Sequence, residues 1–282
     1  MKFLSATEVR KIILRALSED QVRQDMTTKG LISETLTCRA SVTSKASGVV
    51  AGTEIARQVF LEVDPKLKIT VLIHDGTKVR PGDVIATVEG KCTSILKAER
   101  VALNFLQRLS GIASETARYV QAVKGLPVII LDTRKTTPGL RTLEKYAVRA
   151  GGGHNHRMNL SDGILIKDNH IAILRRQNLG LGEIIDKARQ KAPAKLKLEI
   201  EVKTADEAAQ AAEAGADIIL LDNMNPEQMR EAVGLVKGRS LLEASGGITL
   251  ENVRTTAGAG VDRISIGALT HSPKALDISL EF

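Results

Sequence analysis

The chain has few aromatic residues and little cysteine. Its 282 residues include no Trp, two Tyr, four Phe and two Cys. So few aromatic side chains argue against a protein that stacks the bases of single-stranded nucleic acid. No dense Lys/Arg run that would follow a phosphate backbone is present either. Cys38 and Cys92 form neither a disulfide framework nor a metal cluster, and we expect both to be buried thiols in a reducing cytosol.

Long apolar runs are lacking as well. No stretch approaches the roughly 20 residues that span a bilayer. The N-terminal segment is interrupted by charges throughout, which argues against a secretory signal. We therefore expect a cytoplasmic protein that binds no membrane and no nucleic acid. The apolar spacing of Val9, Ile12, Ile13 and Leu17 predicts an amphipathic first helix.

Positive charge is in excess and is concentrated in one part of the chain. The net charge is +7, which suits the steering of small anions, although composition alone leaves nucleic acid open. Residues 132–170 hold seven fixed cations against four anions. Arg binds carboxylate or phosphate through two parallel hydrogen bonds, and Lys adds a mobile charge. The segment predicts a pocket for a small molecule with several negative charges; a solvated basic surface is the alternative.

Two regions of different pattern divide the chain into predicted domains 1–105 and 106–282. The first has short strand-like stretches at 36–43, 48–51, 68–73 and 84–88. The second opens within a long helix from 98 to about 123 and then alternates helical patterns with apolar strands, at 128–131, 164–166, 196–202, 218–221, 241–244 and 263–266. This alternation predicts a parallel sheet covered by helices. Because no G-x-G-x-x-G follows the first strand, an α/β barrel is favoured over an open dinucleotide-binding sheet.

Acidic side chains fall at the ends of two of these strands. Glu199 and Glu201 are two residues apart, so they project to the same face, and Asp222 should lie near Glu201. Carboxylates with open coordination suit Mg²⁺, bound either directly or mainly through substrate and water. The alternative is an ion pair with Lys167 or Lys197, which we favour for Glu199.

Two glycine loops follow the last strands. Ser245, Gly246 and Gly247 form one, and Ile266, Gly267 and Ala268 form the other. They precede predicted helices at 249–257 and at about 273. Exposed N–H groups at the start of a helix bind anions, so the loops predict a site for a phosphate group.

Several motifs together resemble one enzyme family. D-T-R-K-T-T-P-G-L-R at 132–141, G-G-G-H-N-H-R at 151–157 and I-K-D-N-H at 166–170 are similar to quinolinate phosphoribosyltransferases, and the likeness extends over nearly the whole chain. It implies an incomplete α/β (TIM-like) barrel joined to an N-terminal α/β sandwich domain, with the C-terminal tail a candidate to pack back on the latter.

The resemblance also implies the reaction and its participants. The enzyme would transfer the phosphoribosyl group of phosphoribosyl pyrophosphate to quinolinate with decarboxylation, giving nicotinate mononucleotide, pyrophosphate and CO₂ for NAD biosynthesis. Mg²⁺ would be the cofactor. The assembly would be a homodimer with shared active sites, in which Arg100 reaches the partner's site, with a hexamer of dimers as a further option.

The implied site residues combine cations, acids and glycine loops. Lys135, Lys167, Glu201 and Asp222 are the expected catalytic residues, and Glu201 and Asp222 would also support Mg²⁺ and the ribose. We expect His154 and His170 to be satisfied loop histidines. The full predicted substrate-binding set is Arg100, Thr133, Arg134, Lys135, His156, Arg157, Lys167, Glu201, Asp222, Ser245, Gly246, Gly247, Ile266, Gly267 and Ala268.

Three other functions stay open on the sequence. A relative found with molybdate-transport genes shares parts of the pattern, but the intact R-K-T-T-P-G-L-R and K-D-N-H favour the quinolinate enzyme. A phosphate-binding synthase or isomerase barrel would share the glycine loops without needing the Arg/Lys cluster. An anion-binding regulatory protein is the non-enzymatic alternative.

Overall fold

The structure is a computed structural model and describes residues 5–193 and 195–282. The first four residues of the segment considered as a secretory signal lie outside the described residues. The chain divides into two compact units. The first contains the described residues up to Ala117, with Lys135–Gly152 and Ala268–Phe282. The second contains Arg118–Arg134 and Gly153–Gly267.

The helices and strands are numbered in chain order. The α-helices are α1 (Ala6–Glu19), α2 (Met26–Leu31), α3 (Thr53–Val63), α4 (Cys92–Ala122), α5 (Arg141–Ala150), α6 (Asp168–Arg175), α7 (Leu181–Lys191), α8 (Ala205–Glu213), α9 (Pro226–Val236), α10 (Val253–Ala257) and α11 (Ala268–His271). The strands are β1 (Thr37–Ser44), β2 (Gly48–Val49), β3 (Lys68–Val71), β4 (Lys78–Val79), β5 (Val84–Lys91), β6 (Ile129–Leu131), β7 (Ile164–Ile166), β8 (Leu198–Val202), β9 (Ile218–Asp222), β10 (Leu241–Ser245), β11 (Arg263–Ser265) and β12 (Ile278–Glu281). A 3₁₀ turn at Val22–Gln24 joins the first two helices.

The first unit is built on an antiparallel sheet with strand order β12-β1-β5-β3, and β2 pairs separately with β4. Helix α1 forms as predicted, and it buries Val9, Ile13 and Leu17 while packing near α3. The start of α3 is held by Asp75, whose carboxylate accepts hydrogen bonds from the backbone nitrogens of Gly52 and Thr53 at 2.8 and 3.0 Å. These bonds satisfy N–H groups that a helix start leaves without partners.

The predicted strands of this unit correspond to β1, β2, β3 and β5. Five elements of this unit were not predicted, namely α2, α3, α5, β4 and β12. Strand β12 pairs with β1, with Val42 opposite Leu280, and β4 has only two residues. The long helix α4 starts at Cys92, earlier than the predicted 98, because the prediction relied on leucine spacing that begins only at Leu103.

The prediction that Cys38 and Cys92 are buried thiols was wrong, because the structure joins them in a disulfide. Cys38 is half-buried, and the two Cα atoms are 5.4 Å apart. The antiparallel register explains the proximity. Cys38 lies opposite Gly90, and Cys92 follows two residues later at the start of α4.

The second unit contains a six-stranded parallel sheet with order β6-β11-β10-β9-β8-β7. All six strands were predicted. Strands β6 and β7 follow each other in the chain but lie at opposite edges of the sheet. The barrel is therefore incomplete, as predicted.

Strand register gives this sheet one apolar and one polar face. Residues paired across parallel strands point to the same side. One face is apolar and buried, and includes Leu198, Ile200, Ile219, Leu221, Leu242, Ala244 and Ile264. The opposite face carries Glu199, Glu201, Asp222, Glu243, Ser245, Arg263 and Ser265. The charged side chains of the sheet lie on this polar face, and those that are buried need ion-pair or hydrogen-bond partners.

In the part of the chain that the structure describes, none of the helices combines the length and apolar character needed to cross a membrane.

Candidate active site

Most predicted site residues of the second unit lie at the carboxyl ends of its strands. Because these strands are parallel, their carboxyl ends lie at the same edge of the sheet, the edge at which α/β barrels build their sites. The residues placed there are Thr133 and Arg134 after β6, Lys167 after β7, Glu201 in β8, Asp222 at the end of β9, Ser245, Gly246 and Gly247 at and after the end of β10, and Ile266 and Gly267 after β11. Arg100, Lys135 and Ala268 belong to the first unit.

Glu201 and Asp222 form a close acidic pair. Burial raises the pKa of Glu201, and the carboxylates of Asp222 and then Asp168 raise it further, whereas Lys167 opposes them. The effect of Asp222 on Glu201 shows that the two carboxylates lie close together, which confirms the predicted proximity. Two half-buried carboxylates in contact repel each other when both are ionised, and a bound cation would relieve that repulsion.

Arg134 and Arg157 form a cationic pair at the same sheet edge. Partial burial lowers the pKa of Arg157, and the nearby guanidinium of Arg134 lowers it further, against the opposing carboxylates of Glu199 and Asp162. The Nη1 of Arg157 donates to the carbonyl oxygen of Gly163 at 2.9 Å. Two guanidinium groups held near each other are suited to an anion that neutralises both.

Asp132 anchors the loop that carries His156 and Arg157. It is fully buried and accepts hydrogen bonds from the Asn155 side chain and, at 2.9 Å, from the His156 backbone nitrogen. Its own N–H donates to the His154 carbonyl oxygen. The loop is therefore fixed to the end of β6.

His156 lies between two buried acids. Its Nε2 is 3.0 Å from Glu199 Oε2 and 3.4 Å from Glu243 Oε1. Burial lowers the pKa of His156, but the two carboxylates outweigh this and raise it. Among the described residues, these three form the group whose possible metal-ligand atoms lie within 4.8 Å of one another.

The expected ion pair of Glu199 with Lys167 or Lys197 was wrong. Glu199 contacts His156 instead, and Lys197 pairs with Asp217 at 3.0 Å. Lys197 precedes β8 and is exposed, whereas Glu199 projects from the polar face within the strand.

The first glycine loop has a backbone that other residues rarely adopt. Gly246 and Gly247 have φ of 91° and 61°, in the left-handed region that favours glycine. A Cβ on Gly246 would lie 2.3 Å from Asn223 Oδ1, so a side chain does not fit there. After the second loop, α11 begins at Ala268, and the helix predicted at about 273 was thus misplaced.

Lys135 and Arg100 have different surroundings in the first unit. The Lys135 carbonyl oxygen accepts a hydrogen bond of 2.7 Å from Thr270 Oγ1, which holds the backbone that carries this side chain. Arg100 is exposed on α4. The neighbouring Val101 is 3% exposed and Leu106 2%, so these apolar residues are already covered by their own chain and do not require a partner subunit.

The glycine run at 151–153 includes one position where a side chain would not fit, Gly151. A Cβ there would lie 2.4 Å from the Ala113 carbonyl oxygen, so the chain passes α4 at a distance that only glycine allows. Of the two histidines expected to be satisfied in loops, His170 does have a partner, since its Nδ1 accepts a hydrogen bond from the Lys167 backbone nitrogen at 2.9 Å. It lies in the first turn of α6 and not in a loop, so that part of the prediction was wrong.

Three site residues were missed as site residues, namely Asp132, Glu243 and Arg263. Glu243 interrupts the apolar run of β10 and Arg263 opens β11. A charge within an apolar strand is costly without a partner, and that signal could have identified Glu243. No sequence pattern shows that Asp132 binds the backbone of His156, because the two are joined only by tertiary folding.

Comparison with known proteins places the whole chain in one family. Residues 25–110 match the quinolinate phosphoribosyl transferase N-terminal domain, and residues 112–281 match the C-terminal domain of the same family. The chain is 43% identical over 277 residues to a probable nicotinate-nucleotide pyrophosphorylase (carboxylating) of Bacillus subtilis, covering 97% of this chain and 93% of the relative.

A plant relative and a solved structure are similar to the chain over nearly its whole length. Quinolinate phosphoribosyltransferase (decarboxylating) 1b of Nicotiana tabacum is 42% identical over 290 residues, covering 97% of this chain and 82% of the relative. The crystal structure of NadC from Streptococcus pyogenes superposes with a TM-score of 0.94 at 42% identity, covering 99% of this chain and 97% of that chain. The chain belongs to the quinolinate phosphoribosyltransferase family.

Proposed function

We propose that the protein transfers the phosphoribosyl group of phosphoribosyl pyrophosphate to quinolinate, with decarboxylation, and forms nicotinate mononucleotide, pyrophosphate and CO₂ for NAD biosynthesis. One observation carries the proposal. The carboxyl edge of a single parallel sheet presents a cationic pair, Arg134 and Arg157, and an acidic pair, Glu201 and Asp222. The first pair suits a dicarboxylate, and the second suits a ribose that becomes positively charged.

The charges of the reactants account for the need for both pairs. As the bond from ribose C1 to the pyrophosphate oxygen breaks, the leaving group takes the electron pair and the sugar becomes cationic. The lone pair of the pyridine nitrogen then forms the bond to C1. Acids near the sugar and cations near the anionic groups stabilise the charges that develop, provided that they are already in position.

Decarboxylation needs no further group. After transfer, the ring nitrogen is cationic and lies beside the carbon that carries the 2-carboxylate. When the bond to that carboxylate breaks, CO₂ leaves and the electron pair remains on the ring carbon, where the adjacent positive nitrogen stabilises it until a proton replaces it. Lys135 and Lys167 serve as cations for the carboxylates and pyrophosphate in this proposal.

Glu201 and Asp222 fit Mg²⁺. The Asp222 carboxylate is close enough to raise the pKa of Glu201, and oxygen donors in a partly open site suit this ion. When bound, Mg²⁺ would neutralise negative charge on the pyrophosphate. Ser245, Gly246 and Gly247 are suited to the 5-phosphate, because a loop with positive φ exposes its N–H groups.

We further propose a homodimer in which Arg100 contacts the substrate of the partner subunit. Family membership and the exposure of Arg100 support this, whereas the apolar side of α4 does not, since it is buried within its own chain. A hexamer of dimers and a cytoplasmic location stay predictions.

Turnover with matched acceptors tests the function. The purified protein is incubated with phosphoribosyl pyrophosphate, Mg²⁺ and either quinolinate or nicotinate, and nicotinate mononucleotide and CO₂ are measured. We expect efficient turnover of quinolinate, because two cationic groups exceed what one carboxylate can use. Efficient use of nicotinate with quinolinate inert would contradict the proposal. Tight binding of phosphoribosyl pyrophosphate without turnover of either acceptor would favour a regulatory protein.

A further inference from the structure

Two buried acids of the barrel face converge on one imidazole. Glu199 in β8 and Glu243 in β10 are separated by β9, and both project from the polar face. Glu199 is 4% exposed and Glu243 0%. Among the described residues, neither carboxylate oxygen of Glu243 accepts a hydrogen bond, and its nearest ion-pair partner is His156 Nε2 at 3.4 Å. Burying two carboxylates is costly unless they are paired or hydrogen-bonded, so their contact with this imidazole calls for an explanation.

The second ring nitrogen of His156, Nδ1, contacts the backbone of its own loop. The backbone nitrogen of Arg157 donates to His156 Nδ1 at 2.8 Å. A nitrogen that accepts a hydrogen bond carries no proton, so the ring proton is on Nε2 and is directed at the acids. The acids favour a second proton on the ring and the Arg157 N–H opposes one. The 2.8 Å contact is that of an unprotonated Nδ1, and we assign the neutral ring.

The surrounding charges are consistent with this arrangement. Burial raises the pKa of Glu199 and the carboxylate of Glu243 raises it further, whereas His156 and Arg263 in β11 oppose this rise. Asp132 is on the opposite side of the loop and accepts from the His156 backbone nitrogen at 2.9 Å. The ring is thus enclosed by acids at Nε2 and by backbone at Nδ1.

We propose that Glu199, Glu243 and His156 form a positioning relay, in which the acids orient the imidazole and the imidazole fixes the peptide nitrogen of Arg157. This rests on the proposed function and deepens it, because Arg157 is the proposed ligand of a quinolinate carboxylate. His156 is then a positioning residue rather than a substrate ligand. At metal sites, residues that orient a histidine affect affinity or activity strongly even though they do not touch the ligand. We expect the same kind of effect here.

Binding of quinolinate to the full-length protein, measured by calorimetry without phosphoribosyl pyrophosphate, tests the relay. Glu243→Leu removes an oxygen that faces Nε2 and should weaken binding about 10–100-fold, as loss of an orienting partner does. Glu243→Gln keeps an oxygen acceptor and should bind nearly as wild type. The KM for phosphoribosyl pyrophosphate should be unchanged in both variants.

Asp217→Asn is the matched control. Asp217 lies just before β9 and accepts from the Leu198 backbone nitrogen at 2.8 Å, so its loss perturbs the same sheet without touching the relay. We expect this variant to bind quinolinate as wild type. Equal weakening in Asp217→Asn and Glu243→Leu would show a general structural effect and overturn the relay.

Nitrogen-15 spectra of the five histidines supply a second readout, with His156 identified by its loss in His156→Gln. We expect an unprotonated Nδ1 and a protonated Nε2 in the wild type, and a mixture of tautomers in Glu243→Leu. A protonated Nδ1 in the wild type would refute the relay, as would a stoichiometric metal ion, detected by elemental analysis, that is lost in Glu243→Leu. If the wild type itself does not bind quinolinate, the proposed function fails and not the relay alone.

Discussion

The ion pair between Arg108 and Glu144 in the first unit should be costly to break. The Glu144 side chain is fully buried and accepts from Arg108 Nη2 at 2.8 Å and from Thr137 Oγ1 at 2.8 Å. Arg108 also donates to the carbonyl oxygens of Thr270 and Pro273. The pair thus connects α4, α5 and the loop between Lys135 and α5. Arg108→Leu would leave a buried carboxylate without its cation.

Removing one partner of a buried ion pair costs about 3–5 kcal/mol. Because the Arg108 side chain is 29% exposed, water screens part of the interaction, and we expect the lower end, about 3 kcal/mol. For a chain of this size, the midpoint of thermal unfolding should fall by roughly 6–12 °C. Circular dichroism at increasing temperature measures this shift.

Arg57→Leu is the control. Arg57 pairs with Glu54 at 2.6 Å with two contacts, but the side chains are 38% and 27% exposed, and such a pair contributes less than about 1 kcal/mol. Adding Glu144→Gln to Arg108→Leu removes the buried charge and should recover part of the loss. If Arg108→Leu unfolds at the temperature of Arg57→Leu, or if the second change recovers nothing, the buried carboxylate does not depend on Arg108 and the prediction is wrong.

Three further predictions concern the acid pair, the subunit arrangement and pH. Glu201→Gln should raise the KM for phosphoribosyl pyrophosphate and alter the Mg²⁺ requirement far more than it changes quinolinate affinity; calorimetry showing the reverse would reject the assignment. Inactive Arg100→Ala mixed with inactive Lys135→Ala should regain activity, because a mixed dimer has one site free of both defects. Mixed dimers that are confirmed by mass spectrometry yet inactive would place Arg100 in its own chain's site. Burial raises the pKa of Asp217, but its hydrogen bonds and cationic partners outweigh this and lower it from 3.8 to about 2. The stability advantage over Asp217→Asn should therefore be complete above pH 4 and disappear as the pH falls towards 2; an advantage that stays constant in urea unfolding between pH 6 and pH 2.5 would contradict this.

The parallel sheet could be predicted because its central strands are buried on both faces, which makes their sequences almost continuously apolar. Stretches such as 218–221 are continuously apolar, and the sequence places a polar residue at each strand end. Helix α3 and strand β12 could not be predicted with the same rules. The strand β12 is short and depends on pairing with β1, which lies more than two hundred residues earlier. The Cys38–Cys92 disulfide depends in the same way on the register of β1 with β5.

Site residues at strand ends were predictable, whereas the residues behind them were not. Glu201 and Asp222 stand out because an acid terminates or nearly terminates an apolar strand. Glu199 was recognised as an acid on the same face, but its expected partner was Lys167 or Lys197. The actual partner, His156, is contributed by a loop that Asp132 fixes, and this arrangement arises only from tertiary structure.

The solvent exposure of an acid on the polar face separates two proposed roles, ligand binding and side-chain positioning. Glu201 and Asp222 are half-buried at the open edge, where a substrate or cation can neutralise them. Glu199 and Glu243 are 4% and 0% exposed, so they depend on protein groups. The imidazole of His156 contacts both acids, and Arg263 lies near Glu199. In the proposed function a bound ligand would neutralise the outer acids, whereas in the proposed relay the inner acids orient a side chain. The same face can thus hold acids for substrate chemistry and acids for positioning. In β8 the two kinds, Glu201 and Glu199, are only two residues apart.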